Sequence, residues 1–331
     1  MVDVLYIEEE VAGHPRVAAI CDRFPRAVRI PCDHYGEVFN RRAQNFRLQK
    51  RRPALILARK HSRFLHETPA GYGVGGQRNY YFSHMLNCVY DCRYCFLQGM
   101  HRSGHYVLFV NYEDYQHAIE AEISAQAQNG TWFFSGYDCD SLAFEPVSGF
   151  ADSFLPLFRR YPRAMLELRT KSTQIRSLLN REVLPNVVVA YSFTPGAVSR
   201  AMEHKVPGLD QRIEAMARLQ ARGWRLGLRF DPLIYYDGYM KGYEALFEAI
   251  FARLAVESLH SVSLGPFRLP RQYFDTMARL YPDERLFAGP LRQDPAMVGY
   301  DHEIEEEMID GCTRLLKKYV PDTIMYPCSY T

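Results

Sequence analysis

The sequence lacks the features of membrane-spanning and exported proteins. No stretch approaches the roughly 18 consecutive apolar residues of a membrane span, and Ala54–Ala58 and Val107–Val110 are typical of its longest apolar runs. The N-terminus carries Asp3 and Glu8–Glu10, where a signal peptide would have a basic stretch followed by an apolar core. We therefore expect a cytoplasmic protein that makes no membrane contact.

Low-complexity tracts, internal repeats and a strong excess of one charge are also absent. Of the 331 residues, 47% are hydrophobic and 24% are charged, which is ordinary for a globular protein and argues against general disorder. The formal net charge is only +2, so overall charge indicates little about partners. The length predicts one large domain or two moderate ones.

The chain has eight cysteines, and their distribution is uneven. A disulfide scaffold is unexpected in a cytoplasmic chain of this size, so the cysteines predict metal or redox chemistry. Three of the eight fall within eight positions. The full set is Cys21, Cys32, Cys88, Cys92, Cys95, Cys139, Cys312 and Cys328.

From residue 79 onward, short apolar runs alternate with amphipathic stretches, which is typical of repeated strand–helix units. Apolar spacing near 3.6 predicts helices over Tyr115–Gln128, Leu209–Arg222 and Tyr243–Leu254. Such units predict parallel strands joined by right-handed crossovers, arranged as an open sheet or a partial barrel. Both of these folds bind ligands at the carboxyl ends of their strands. The candidate strands are Tyr80–Leu86, Thr131–Ser135, Met165–Thr170, Val187–Phe193, Arg225–Asp231 and Ser261–Gly265.

The three clustered cysteines follow the first candidate strand. Cys88, Cys92 and Cys95 have the spacing C-x3-C-x2-C, and thiolates are the ligands that hold iron–sulfur clusters. A [4Fe–4S] cluster needs four ligands, so three cysteines leave one iron open to a substrate or cofactor. The alternatives are inert buried thiols or a structural zinc site, completed by His84 or His101.

The same motif resembles the cluster motif of the radical S-adenosylmethionine (SAM) superfamily. The wider sequence resembles one branch, the spore photoproduct lyase family of DNA-repair enzymes. That resemblance covers most of the chain. It includes Tyr94–Gln98, Arg169–Lys171, Tyr191–Phe193, Leu209–Ala215, and the stretch from Gly223 to Pro232.

The resemblance implies an α/β fold, a partial (β/α)6 TIM-type barrel of the radical SAM type with N-terminal and C-terminal extensions. We expect an N-terminal basic extension at 1–78, the barrel core at 79–270 and a C-terminal extension of helix and strand at 271–331. The implied cofactors are a [4Fe–4S] cluster and SAM, whose reductive cleavage yields a 5′-deoxyadenosyl radical. Cys88, Cys92 and Cys95 would ligate the cluster, and the residues implied around SAM are Tyr94, Ser141, Lys171, Ser192 and Asp231.

In that family a cysteine returns a hydrogen atom to the product radical, with two tyrosines as relay. Cys139 is the candidate donor here, although ungapped alignment places Tyr137 at its position. Tyr94 matches one tyrosine, but Phe96 stands at the other and has no exchangeable hydrogen. Either another phenol such as Tyr137 or Tyr191 substitutes, or the final step differs. The expected substrate is a thymine-dimer lesion in DNA. The alternatives are a radical SAM enzyme with another substrate and a non-catalytic zinc-binding nucleic-acid module.

A basic segment precedes the predicted barrel. Between Arg41 and Arg63 lie nine arginines and lysines, no acidic residue, and interleaved aromatic residues. Cationic surfaces with aromatic residues are typical of nucleic-acid binding proteins, so we expect this segment to contact DNA. It could instead pair with the acidic segment Glu303–Asp310 or remain solvated. An electron donor such as flavodoxin or ferredoxin is the other expected partner.

Overall fold

A computed structural model of the chain describes residues 2–69, 71–125 and 130–327. Within those ranges no helix combines the length and apolar character needed to cross a bilayer.

The strands are numbered in chain order. They are β1 (Val4–Glu8), β2 (Val28–Cys32), β3 (Leu55–Ala58), β4 (His66–Glu67), β5 (Arg78–Phe82), β6 (Met85–Leu86), β7 (Asp91–Cys92), β8 (Tyr106–Phe109), β9 (Thr131–Ser135), β10 (Met165–Thr170), β11 (Val187–Ser192), β12 (Glu203–His204), β13 (Arg225–Leu233), β14 (Leu259–Pro266), β15 (Arg268–Pro270), β16 (Leu291–Gln293), β17 (Met297–Tyr300) and β18 (Met325–Pro327).

The helices are numbered in the same way. They are α1 (Pro15–Arg23), α2 (Phe46–Arg51), α3 (Leu97–Met100), α4 (Tyr112–Ala125), α5 (Glu145–Ser148), α6 (Phe150–Arg160), α7 (Arg176–Leu179), α8 (Gly196–Met202), α9 (Leu209–Arg222), α10 (Tyr239–Phe251), α11 (Arg271–Leu280) and α12 (His302–Leu316).

The larger sheet is a curled half-barrel. Its strands are ordered β18-β14-β13-β11-β10-β9-β5-β4, and each neighbouring pair is parallel except β4 with β5. The strands from β5 to β14 are the six expected from the sequence, in the expected order, which confirms the partial barrel. The parallel arrangement brings the carboxyl ends of these strands to one mouth.

The smaller sheet lies beside the barrel and is formed mainly by the N-terminal part of the chain. Its order is β2-β1-β3-β8-β6, with only β6 antiparallel to its neighbour. The expectation of one strand over Tyr80–Leu86 is wrong, because the chain leaves the barrel after Phe82 and re-pairs at Met85 in this second sheet. Ser83 and His84 make the crossing and are buried between the sheets.

The three-region division stays a prediction, but both sheets cross its proposed boundaries. β6 and β8 follow residue 78 and complete the smaller sheet, while β18 follows residue 270 and pairs with β14 in the barrel. A three-stranded antiparallel sheet, β15-β17-β16, lies in the C-terminal part of the chain.

Helix boundaries follow local sequence signals closely. α9 spans Leu209–Arg222 as expected and ends at Gly223, whose φ of +101° suits glycine. The helix expected over Tyr115–Gln128 is observed from Tyr112 to Ala125, and positions 126–128 lie outside the described residues. The hydrophobic faces of these helices pack on the sheets and fix the strand ends at the mouth.

Candidate active site

The segment Asn87–Phe96, here called the cluster loop, connects β6 to α3 and contains the three clustered cysteines. Asn87 adopts a left-handed conformation with φ of +66°. Its side-chain Nδ2 donates hydrogen bonds to the carbonyls of Ser103, at 2.6 Å, and His105, at 2.7 Å. The loop therefore begins at a buried residue tied to the chain that enters β8.

Lys50 of α2 anchors the loop from the side of the smaller sheet. Its Nζ donates to the carbonyls of Cys88, at 2.7 Å, and Tyr90, at 3.2 Å, and the side chain is buried. Lys205 in turn donates to the Lys50 carbonyl at 2.7 Å. One of the nine basic residues assigned to DNA contact therefore supports the cysteine loop instead.

The middle of the loop is held by backbone pairing. β7, which contains Cys92, pairs antiparallel with β12, and the N–H of Arg93 donates to the carbonyl of Met202 at 2.9 Å. The N–H of Cys95 donates to the carbonyl of Cys92 at 3.1 Å, which forms a tight turn between these two cysteines. The backbone thus fixes the spacing of the loop without using the thiols.

The thiols suit an iron–sulfur cluster. Cys88, Cys92 and Cys95 are all free of disulfides. Burial raises the pKa of Cys88 to about 12, and Lys50 opposes that shift. No set of three or more His, Cys, Asp or Glu side chains in the described ranges is arranged around one metal ion. A cluster needs thiolates spread over several irons, and one loop supplies three such ligands.

A buried carboxylate, Glu203 of β12, gathers the groups next to the loop. It accepts hydrogen bonds from the Tyr94 hydroxyl and from Ser199 Oγ, the latter at 2.8 Å, and pairs with Arg212 at 2.7 Å. Lys171 Nζ lies 3.9 Å from Glu203 Oε1 and 5.5 Å from the centre of the Tyr94 ring. Burial acts to raise the pKa of Glu203, but Lys171 and Arg212 outweigh it and lower that pKa.

Arg212 extends this network to a third predicted residue. Its Nη1 donates to the carbonyl of Ser192 at 3.0 Å, at the end of β11. Tyr94, Lys171 and Ser192 are thereby brought together around one ion pair, although they come from the cluster loop and two different strands.

A second buried carboxylate, Asp140, orders the mouth between β9 and β10. Its two oxygens accept bonds from the Thr170 hydroxyl at 2.7 Å and the Lys171 N–H at 2.6 Å, as well as from two following backbone N–H groups. The next residue, Ser141, is fully buried, with its Oγ 2.7 Å from Ser135 Oγ. Ser141 and Lys171 are therefore held in one hydrogen-bonded unit.

Asp231 lies on β13, beyond Arg229, which pairs in register with Ser192 of β11. It is half-buried and precedes a cis peptide bond to Pro232. Arg229 itself points away from the mouth chemistry, because it forms a buried ion pair with Glu167 at 2.5 Å.

Cys139 is buried within the loop that connects β9 to α5. Its Sγ lies 4.0 Å from Nδ1 of His84, whose ring stacks on Phe150 with centroids 4.0 Å apart. Burial lowers the pKa of His84 to about 3 and raises that of Cys139 well above its ordinary value. The pair is consequently an uncharged imidazole beside a protonated thiol.

A row of aromatic rings crosses the mouth next to the cluster loop. Tyr137 packs between Tyr81, with centroids 4.2 Å apart, and Phe96, at 5.3 Å. Tyr273 of α11 continues the row 6.4 Å from Phe96. The Tyr191 hydroxyl, in contrast, is buried and donates to the carbonyl of Ser172 at 2.9 Å.

Sequence reasoning missed several residues of this site. Glu203 and Lys50 carry no motif of their own, and each acts on a loop far away in the chain. His84 was considered only as a zinc ligand. The sequence carries one weak signal for the start of the cluster loop. Asn87 stands there, and asparagine tolerates a positive φ better than most residues.

The comparisons with known proteins agree on one family. The family model described as spore photoproduct lyase matches residues 44–286. A spore photoproduct lyase from Bacillus subtilis (strain 168) is 24% identical over 293 residues, covering 86% of this chain and 83% of that protein. One from Clostridium acetobutylicum is 23% identical over 214 residues, covering 63% of this chain and 62% of that protein.

Solved structures show the same fold. A mutant spore photoproduct lyase with bound AdoMet and dinucleoside spore photoproduct superimposes with a TM-score of 0.87 at 17% identity, covering 100% of this chain and 99% of the other. A complex of the enzyme with dinucleoside spore photoproduct gives a TM-score of 0.84 at 17% identity, with the same coverage. With a family model matching most of its length, this chain belongs to the spore photoproduct lyase family of radical SAM enzymes.

Proposed function

We propose that this protein repairs a thymine-dimer lesion of the spore photoproduct type in DNA, using SAM and a [4Fe–4S] cluster. The observation that carries the proposal is the cluster loop, where Cys88, Cys92 and Cys95 are fixed by Lys50 and β12 next to Tyr94 and Lys171. Family membership and the relatives that bind dinucleoside spore photoproduct support the substrate.

Cys88, Cys92 and Cys95 would hold the cluster, and an iron without a protein ligand leaves room for SAM. Together the two cofactors supply one-electron reductive cleavage of a sulfonium and a carbon-centred radical. The chain would contribute position and charge: Lys171 would pair with the carboxylate of SAM, and Tyr94, Ser141, Ser192 and Asp231 would hold the rest of it. The Glu203 and Asp140 networks keep Tyr94 and Lys171 in place.

Cys139 would return the hydrogen atom to the product. Its high pKa keeps the sulfur protonated at neutral pH, and only the protonated thiol has a hydrogen to give. The uncharged His84 beside it leaves the thiol protonated, because it is a poor base. Tyr137 is the better-placed substitute for the missing family tyrosine, since its ring packs directly on Phe96, the residue at that position.

Six of the nine residues of the basic segment are exposed and would contact the DNA backbone: Arg41, Arg42, Arg47, Arg51, Arg52 and Arg63. The described residues form no ion pair between this segment and the acidic Glu303–Asp310 stretch, while Arg52 pairs with Asp3. A lesion has to leave the helical stack to reach the mouth, and damaged bases are the least costly to extrude. A flavodoxin or ferredoxin would supply the electron.

The test is anaerobic incubation of the reconstituted protein with dinucleoside spore photoproduct, SAM and a reductant, followed by mass spectrometry. We expect thymidine and 5′-deoxyadenosine from the wild type and neither from Cys92→Ala. Cys312→Ala is the matched control, because Cys312 is also a buried free thiol but lies on α12. Formation of 5′-deoxyadenosine by Cys92→Ala would contradict the ligand assignment.

The Cys139 role has a separate readout. Cys139→Ala should cleave SAM at the wild-type rate while its lesion product changes, for example to an adduct with a reagent in solution. Tyr137→Phe tests the relay in the same assay, and it keeps the ring contact with Phe96 while removing the hydroxyl. An unchanged product distribution in both variants would remove both residues from the mechanism.

A further inference from the structure

A cavity of about 510 Å³ opens beside the smaller sheet, and its lining includes no residue of the cluster loop. It is lined by side chains from the segment after β3 and from α4: Arg59, Lys60, His61, Phe64, Asp114, His117 and Ala118. We call it the Lys60 cavity. Nothing in the proposed mechanism uses it.

The cavity lies at the carboxyl ends of β3 and β8, and parallel α/β sheets usually bind ligands at the carboxyl ends of their strands. The chain runs from β1 outward to β2 and then returns to the other side of β1 as β3, so the strand order reverses between β1 and β3. Such a reversal leaves a crevice at the carboxyl ends of the strands. Glu8 fixes the backbone there, accepting from the N–H of Tyr35 at 2.6 Å and of Arg59 at 2.7 Å.

The charges of the lining favour an anion. Arg59 is already paired with Glu10, at 3.2 Å, and with Asp114, at 3.0 Å. Within the described residues, Lys60 Nζ has neither an ion-pair nor a hydrogen-bond partner; it lies 5.3 Å from the centre of the Phe109 ring. A half-buried cation without a partner is costly, and an anionic ligand would offset that cost.

The cavity also adjoins the mouth. The charge of Lys60 acts on the carboxyl of Asp138, which immediately precedes Cys139. Lys60 and Arg63 both act on His66, whose ring stacks on Tyr81 with centroids 5.0 Å apart. Tyr81 belongs to the aromatic row, so His66 links the charges of Lys60 and Arg63 to that row.

We propose that the Lys60 cavity binds a backbone phosphate of the DNA strand flanking the lesion, with Lys60 as the principal ligand. The ring of His117 and the exposed guanidinium of the adjoining Arg63 are the supporting donors. His61 contributes less, because its Nε2 is already paired with Glu10 at 3.1 Å. Phosphate suits this set because it accepts several charge-assisted hydrogen bonds at once. The inference rests on the proposed function, because it assigns the cavity to the same strand that carries the lesion.

Two substrates separate this site from the active site. Dinucleoside spore photoproduct has no flanking phosphate, whereas an oligonucleotide with one central lesion has phosphates on both sides. For Lys60→Met we expect the KM of the oligonucleotide to rise about tenfold, which is the order of one charge-assisted contact. The KM and kcat of the dinucleoside should stay at wild-type values. The dependence of oligonucleotide affinity on salt should become shallower by about one charge.

Lys60→Arg keeps the charge and is expected to restore most of the oligonucleotide affinity. Lys318→Met is the matched control, because Lys318 is an exposed lysine that does not line the cavity and pairs with Glu244 of α10 at 3.4 Å. It should leave both substrates unaffected. Circular dichroism of each variant checks that the fold is retained.

Three outcomes would overturn the assignment. Equal loss on both substrates would place the effect of Lys60 in the active site, and no loss on either would remove Lys60 from binding. A third outcome is that inorganic phosphate binds to the wild type and not to Lys60→Met, while both proteins bind the oligonucleotide with equal affinity. The ligand would then be a free anion rather than the DNA strand. Failure of the wild type on both lesions would contradict the proposed function instead, and the affinity for undamaged oligonucleotide would still test the cavity.

Discussion

Among the described residues, two carboxylate–arginine pairs have fully buried side chains, and they differ in what they touch. Glu203 and Arg212 contact Tyr94 of the cluster loop and Ser192 at the mouth. Glu167 of β10 contacts Arg169 of the same strand, and Arg229 of β13 contacts Ser261 of the neighbouring strand β14. Both pairs are fully desolvated, so the cost of burying charge is similar. The same kind of buried ion pair therefore supports the cluster loop in one case and the packing of barrel strands in the other.

The largest effect is expected from removing the charge of each carboxylate separately. Glu203→Gln and Glu167→Gln should each lower the free energy of unfolding by about 3–5 kcal/mol, because each leaves a buried arginine without its partner. Only Glu203→Gln should also slow SAM cleavage per folded molecule. Denaturant unfolding and 5′-deoxyadenosine release measure the two quantities. Equal slowing in both variants would erase the distinction between the pairs.

A third carboxylate sharpens the comparison because it has no cation. Burial raises the pKa of Glu145 to about 7, and its Oε1 has no hydrogen-bond partner. The folded state then binds a proton that the unfolded state releases near pH 4.5, so this contribution to stability is lost as pH rises toward and past 7. The free energy of unfolding of Glu145→Gln, taken relative to that of the wild type at the same pH, should therefore be higher at pH 8 than at pH 5 by roughly 2–3 kcal/mol. Thermal unfolding at the two pH values is the measurement, and no difference between them would contradict the raised pKa.

The loop is held from its other side by Lys50, and that anchor permits a comparison between adjacent residues. Lys50→Met leaves the carbonyls of Cys88 and Tyr90 without their donor and should cost about 1–3 kcal/mol, with less iron incorporated on reconstitution. Arg51 is exposed on the same helix, so Arg51→Met should change stability by less than about 0.5 kcal/mol. Equal iron content in both variants would show that the loop does not need Lys50.

Among the ion pairs compared, the smallest effect is expected at an exposed one, Arg253 with Glu214. Both side chains are more than half exposed, so solvent and salt screen the interaction. Arg253→Ala should cost about 0.2–1 kcal/mol at low salt and less at high salt. A loss as large as that at Glu167 would mean that burial is not what separates these pairs.

Local patterns predicted the barrel strands and the cysteine loop well. The six strands were readable because each is a short apolar run between turn residues, and three cysteines in eight positions are informative by themselves. The end of α9 followed from Gly223 in the same way. All of these features depend on residues close together in the chain.

Contacts between distant residues account for what the sequence did not reveal. Tyr94 and Glu203 are 109 positions apart, and no periodicity links them. Lys50 was grouped with its exposed neighbours because a sequence shows charge but not burial. The break at Ser83 and His84 is hidden in the sequence because two short apolar runs, separated by only these two polar residues, together have the length of one strand.

The departure of the chain from one sheet into the other has a consequence for its folding. Because β6 and β8 complete a sheet begun by the first sixty residues, the N-terminal region cannot be removed cleanly. A shortened chain starting at residue 79 would expose the edge of β8, whose four residues are all buried in the intact protein, and unpaired apolar edges promote aggregation. We therefore expect the two sheets and the cluster loop to unfold in one cooperative step.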